Sequence, residues 1–205
     1  MKYTLVIHGG AGTIRKIHMT EEKEKGYSDA LEASLDAGYS VLENKGSAID
    51  AVIAAVRSME DNVLFNAGKG AVFTKDGKQE MDAAIMDGKD LSAGAVAAVR
   101  NIRNPIELAY TIMRKSKHVM MTGQGAFDFA KMHGLRTEAD EYFFVQQRWD
   151  QLKKAQETGK TVLDHDVVTG ENKFGTVGAV ACDQFGNIAA ATSTGGMYRI
   201  HSAVL

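Results

Sequence analysis

The residue pattern predicts a layered fold, α+β or α/β/β/α in packing, over a strictly alternating parallel sheet. Three observations carry that expectation. Short β-branched apolar runs fall in clusters, helical periodicities fall in clusters, and glycine-bearing turns separate the runs.

Residues 3–8 form a short apolar run that meets the glycine turn HGGAG at 8–12, and read as a buried first strand entering a loop able to approach a ligand closely. Leu31, Leu35, Gly38, Val41 and Leu42 recur at helical spacing. Ala48, Val52, Ala55, Val56 and Met59 repeat that spacing after Gly46 and Ser47, so two amphipathic helices follow. Beyond the loop NAGKG, the runs at 71–74, 81–86 and 95–99 read as a strand meander, separated by turn residues such as Asp76, Gly77, Asp87 and Gly88. Pro105, the only proline, suits the first turn of a helix to about residue 115, with Asn104 as its cap. A strand is expected at 118–121, a helix at 125–133 ended by Gly134, and another at 143–154 with a basic exposed face and Trp149 packing inward. The polar stretch 157–173 reads as a surface linker. Residues 177–182 and 188–192 then form a β-hairpin.

With 205 residues, 44% of them hydrophobic, the chain can bury the core of one or two globular domains. A formal net charge of -2 and the lack of a run of like charges argue against a nucleic-acid surface, leaving small or peptide substrates as the better class. Cys182 is the single cysteine, which excludes an internal disulfide, and its apolar surroundings suit a buried structural thiol. No run reaches membrane-span length and no secretory signal stands at the start, so a cytoplasmic location is expected. The HGGAG loop lacks the Lys-Ser/Thr ending of a phosphate-binding P-loop. His8 has no indicated carboxylate partner and reads as packed or hydrogen-bonded; Asp82 and Asp87 read as strand and turn residues.

Gly175 and Thr176 carry the chemistry. A threonine hydroxyl inside a chain is a poor nucleophile, but once the bond before it is cut, the new α-amino group lies beside the hydroxyl and serves as its general base. Gly175, without a Cβ, can adopt the strained geometry that turns its carbonyl toward that hydroxyl. By itself the pair also reads as a turn before a β-branched strand starter. The wider pattern is more specific: HGGAG at 8–12, AIDAV at 48–52, FNAGKG at 65–70, MDAAIMDG at 81–88, TGQGAFDFA at 122–130, GTVGAVA at 175–181 and TSTGG at 192–196. In this order they resemble the plant-type L-asparaginase and isoaspartyl peptidase family of N-terminal nucleophile hydrolases, over nearly the whole chain.

The resemblance implies a four-layer α/β/β/α sandwich, here with the C-terminal part of the β portion missing. It implies an N-to-O acyl shift at Thr176 and ester hydrolysis, dividing the precursor into an α part, 1–175, and a β part, 176–205. Thr176 would then attack the side-chain amide of asparagine or the isopeptide bond of a β-aspartyl dipeptide. Thr194 corresponds to a second active-site threonine, though the residues alone also allow a capped turn; Asn66 falls in a loop beside the site or is a turn asparagine. Backbone carbonyls of Met59, Glu60, Asn62, Phe65, Ala67 and Lys69 would surround a structural sodium ion, with no cofactor used in catalysis. A homodimer of cleaved αβ units is implied for the complete enzyme.

The chain departs from the family after Met197. Where the family supplies an arginine and an aspartate for the substrate's α-carboxylate and α-amino groups, and later an oxyanion loop, this chain reads YRIHSAVL and stops. Arg199 therefore receives no anchoring role. A truncated or frame-disrupted version is expected, and a non-catalytic fragment is the competing reading. Related enzymes that act on glycosylated asparagine or cut proteins after aspartate usually carry aspartate before the threonine, so Gly175 favours the plant-type branch.

Overall fold

The computed structural model describes residues 2–11, 19–158 and 175–196. Strand β1 (Thr4–His8) is followed by helices α1 (Glu21–Glu43) and α2 (Ala48–Glu60), a short 3-10 turn (Gly68–Gly70), strands β2 (Met81–Asp87) and β3 (Ala93–Val99), and helix α3 (Pro105–Lys115). Strand β4 (Met120–Thr122), helices α4 (Gly123–Met132), α5 (Asp140–Phe143) and α6 (Gln146–Thr158), and strands β5 (Val177–Cys182) and β6 (Ile188–Gly195) complete it. The strands form a six-stranded sheet in the order β1-β5-β6-β2-β3-β4, antiparallel except for the β3–β4 pair.

Local chemistry sets the helix starts. Thr20 and Ser47 each accept a hydrogen bond from the backbone amide three residues on, at 3.2 and 3.3 Å. Alternation in the strands then decides the layering. Val177, Ala179, Ala181, Ala189, Ala191, Ala83 and Ile85 face a core shared with Val52, Val56 and Met59 of α2 and Ile106, Ala109 and Ile112 of α3. The strand residues between them face away. Val6, Val180 and Ile188 there are 56%, 51% and 61% exposed. One α layer and one β layer of the expected sandwich are thus present among the described residues, and the opposite sheet face is uncovered.

Several expectations change. Residues 71–74 form a buried extended segment outside the sheet, because side chains take its backbone groups: Asn66 Oδ1 accepts from the Val72 amide at 3.0 Å and Gln79 Nε2 donates to the Ala71 carbonyl at 3.3 Å. Val72 and Phe73 pack instead on Leu152, Ala155 and Trp149 of α6. The single helix expected at 143–154 is split, since Phe144 leaves helical geometry with ψ of 118°. Glu157 and Thr158 belong to α6, and the rest of the expected linker lies outside the described residues, as does the tail beyond Gly196. Asn104 sits at the start of α3 without capping it; its amide donates to Asp61 Oδ1 at 3.4 Å. Cys182 is only half buried, on the uncovered face.

Gly38 lies where α1 crosses α2. A Cβ there would lie 2.7 Å from Leu5 Cδ2 and 2.8 Å from the Ala51 carbonyl oxygen, whereas at Gly26 it would meet only Leu64 Cδ1 at 3.8 Å. Glycine to alanine inside a helix ordinarily stabilises by ~1 kcal/mol. Gly26→Ala should follow that rule, while Gly38→Ala should destabilise by ~1–3 kcal/mol through overpacking. Urea midpoints of the two variants shifting in opposite directions would bear this out; a common direction would not.

Candidate active site

The site begins with the β5–β6 hairpin. Asp183 accepts from the Phe185 and Asn187 amides at 2.9 and 3.0 Å, and Gly186 takes a φ of +83°, so the turn closes without strain. Burial pushes the Asp183 carboxyl upward, but its bonds from Asn187, Phe185 and Ala48 outweigh that and hold it below the usual range. With Val177 paired to Ser193, the register brings Thr176 opposite Thr194. The Thr176 hydroxyl donates to Thr194 Oγ1 at 3.2 Å. Because side chains alternate, Ser193 points into the helical layer and Thr194 lies half buried toward the uncovered face.

Two donors converge on the carbonyl oxygen of Gly175, the group preceding Thr176. Asn66 Nδ2 reaches it at 2.9 Å and the Thr194 hydroxyl at 3.1 Å; Thr194 divides its one proton between this oxygen and the Gly195 carbonyl, also at 3.1 Å. The Asn66 side-chain amide is oriented by the Val72 amide, which donates to its Oδ1, and the Asn66 backbone carbonyl accepts from the Gly195 amide at 2.9 Å. A Cβ on Gly195 would collide with Asn66 Oδ1 and Ala71. Gly10, at a φ of +124°, comes close enough that its Cβ would stand 3.5 Å from Gly175 Cα and 3.7 Å from the Thr176 nitrogen. Donors fixed on a carbonyl oxygen stabilise the negative charge that develops there under attack, and a hydroxyl acceptor aligns the attacking oxygen. The arrangement is suited to nucleophilic attack by Thr176 on the bond before it.

The loop that presents Asn66 is held from outside. Arg148 of α6, buried, donates through Nε to the Gly70 carbonyl at 3.0 Å and through Nη2 to the Leu64 carbonyl at 3.4 Å. Glu60, at the end of α2, turns its carboxyl inward, where Oε1 accepts from Ser193 Oγ at 2.6 Å and from the Ile106 amide at 3.0 Å. It thereby meets the start of α3 in place of Asn104. Burial pushes its pKa up to about 8, against the pull of Ser193, Ile106 and Asn104.

The structure brings together Gly175, Thr176, Thr194 and Asn66. Met59, Glu60, Asn62, Phe65, Ala67 and Lys69 run from the last turn of α2 through the connecting loop into the 3-10 turn. Here the Met59 carbonyl accepts from the Asn62 amide and the Ala67 carbonyl from the Gly70 amide, both at 3.1 Å. Among the described residues no group of three or more His, Cys, Asp or Glu side chains could hold a metal. Of the packed or hydrogen-bonded placements expected for His8, packing does not hold: it is exposed at the end of β1. Asp82 accepts from the Ala98 amide at 2.8 Å and Asp87 pairs with Arg114 at 2.5 Å, both structural. Sequence reasoning missed the Glu60 side chain; the signal was an acid in the last turn of a helix, where the dipole disfavours it.

Glu60 makes folding sensitive to pH. Its carboxyl has an ordinary value of 4.5 and a folded value of about 8, so between them the folded chain keeps a proton that the unfolded chain has released. Stability from this group is whole below 4.5 and declines as pH rises toward 8. Glu60→Gln removes that slope, so its urea midpoint should improve on the parent's more at high pH than at pH ~5. An unchanged gap between the two proteins across that range would contradict the assignment.

Comparison with known proteins agrees with the geometry. A family model described as asparaginase matches residues 1–200. The chain is 49% identical to the isoaspartyl peptidase of Escherichia coli over 198 residues, covering 96% of this chain and 62% of that protein. It is 47% identical to the isoaspartyl peptidase of Salmonella typhimurium over 198 residues, 96% of this chain and 63% of that one. It is also 45% identical to the human isoaspartyl peptidase/L-asparaginase over 199 residues, 96% of this chain and 61% of that protein. The chain therefore spans less than two thirds of these relatives. A match of this extent, with ordered glycine motifs and a threonine pair beside Gly175, places the chain in the asparaginase family.

Proposed function

We propose that this chain is a self-cleaving precursor of a threonine-type N-terminal nucleophile amidohydrolase acting on L-asparagine and β-aspartyl dipeptides. The observation that carries the reading is the Gly175 carbonyl held by Asn66 and Thr194, with the Thr176 hydroxyl bonded to Thr194. Thr176 Oγ attacks the Gly175 carbonyl carbon, the C–N bond to Thr176 breaks, and the hydroxyl proton ends on the departing nitrogen. Water then hydrolyses the ester, leaving residues 1–175 and a chain beginning at a free Thr176. Its α-amino group titrates near ~7.7–8.0, so at neutral pH a useful fraction accepts the hydroxyl proton in each turnover. An acyl-enzyme from the substrate side chain follows, releasing ammonia or an amino acid and finally aspartate.

The names of the relatives, isoaspartyl peptidase and isoaspartyl peptidase/L-asparaginase, support the substrate class. Cytoplasmic location and a homodimer of αβ units belong to the same proposal. The carbonyls of Met59, Glu60, Asn62, Phe65, Ala67 and Lys69 would hold a sodium ion, a hard cation suited to oxygen donors. The glycines of this loop favour that fit, since a Cβ at Gly68 would strike the Glu60 carbonyl and one at Gly70 the Phe65 carbonyl. The ion would stiffen the loop that aims Asn66. A second reading, a chain without turnover, is favoured by the uncovered sheet face beside Thr194.

Intact-mass measurements on the purified chain test the first step. The parent should split before Thr176, Thr176→Ala should stay whole, and Asn66→Ala should split ~100-fold more slowly or worse, as expected for the loss of an oxyanion donor. Scission in Thr176→Ala, or a parent that stays whole, would sink the proposal. Ammonia released from asparagine separates the enzyme from the chain without turnover.

A further inference from the structure

We infer that Glu60 is a positioning residue for the threonine pair, acting through Ser193. The inference rests on the proposed cleavage chemistry but concerns a group that takes no part in its steps. Ser193 is the residue before Thr194, and its register partner Val177 is the residue after Thr176. Its hydroxyl, pointing away from the site into the helical layer, donates to Glu60 Oε1 at 2.6 Å. That same oxygen accepts the Ile106 amide at 3.0 Å in the first turn of α3. One carboxyl group thus ties together the end of α2, the start of α3 and the β6 residue adjoining Thr194.

This tie controls an angle, not only a contact. Thr194 must place one oxygen between the Thr176 hydroxyl at 3.2 Å and the Gly175 carbonyl at 3.1 Å. A rotation of β6 about its axis moves Ser193 and Thr194 together, on opposite faces. Anchoring Ser193 on the buried side therefore sets where Thr194 points on the open side. The carboxyl is fully enclosed, with Oε2 among the buried side-chain atoms that lack a partner, so no solvent contact fixes it otherwise. Asn66 depends on the same point, because the loop carrying it leaves α2 at Glu60.

The test compares the parent with Glu60→Gln, Glu60→Met, Ser193→Ala and the double variant Glu60→Met/Ser193→Ala. Two readouts are taken below the melting temperature of every variant: the scission rate before Thr176, and amide hydrogen exchange of peptides covering β6. Glutamine keeps a carbonyl oxygen for Ser193 and Ile106 and should hold the scission rate within about threefold. Methionine packs alike but accepts nothing, so it and Ser193→Ala should each slow scission about tenfold or more. The double variant should be no slower than the slower single one, as for residues acting as one unit. Exchange over β6 should rise in the methionine and alanine variants, stay near parental in the glutamine variant, and remain unchanged over α1. Additive losses, a methionine variant that cuts at the parental rate, or unaltered β6 exchange would overturn the inference. Should the parent itself never cut, the cleavage proposal fails while the exchange measurement still decides the Glu60 tie.

Discussion

Helix α2 is fastened at both ends to the β5–β6 hairpin by a carboxyl group, and the site depends on that double attachment. At its start the Ala48 amide donates to Asp183 Oδ2 at 3.3 Å, in the hairpin turn; at its end Glu60 receives the hydroxyl of Ser193. Between them Val52, Val56 and Met59 are fully buried in the core they share with the alanines of β5 and β6. Each such apolar side chain contributes ~1.5–3 kcal/mol on burial. Small strand residues let the helix approach closely, and the polar ends set its register on the sheet. The threonine pair rides on the hairpin and Asn66 on the loop leaving the helix, so one packed unit holds them all.

Within that unit the backbone is crowded around the Gly175–Thr176 bond. Gly195 brings main chain to Asn66 closer than a side chain would permit, and Gly10, at a φ of +124° that side chains rarely adopt, brings it beside the Gly175–Thr176 bond. The polar groups there are nearly saturated: Asn66 uses both ends of its amide, and Thr194 both accepts and donates. Such prior alignment lowers the reorganisation needed when charge appears on the carbonyl oxygen. Rigidity comes from the helical side of the sheet, and Thr176 and Thr194 lie half buried toward the other.

That other side is apolar for most of its extent. Val6, Met86, Val180 and Ile188 stand exposed along it, with Leu91 and Cys182 at its margin. A contiguous face of this kind is uncommon on a monomeric surface. Of the four layers implied by the resemblance, two are found among the described residues.

Much of this was legible from residue order. The glycine motifs marked the family, alternation in 177–182 and 188–192 marked the hairpin, and Thr176 with Thr194 marked the chemistry, because turn chemistry and periodicity are local properties. Residues 71–74 misled because a strand needs a neighbour's backbone, and there Asn66 and Gln79 had taken it. Asn104 misled because Glu60, distant along the chain, had already met the start of α3. The amino-acid sequence by itself determined the family motifs and which strands carry the threonine pair. Only the tertiary structure decided where a buried carboxyl would be spent and which carbonyl Asn66 would face, since both depend on contacts between segments more than forty residues apart.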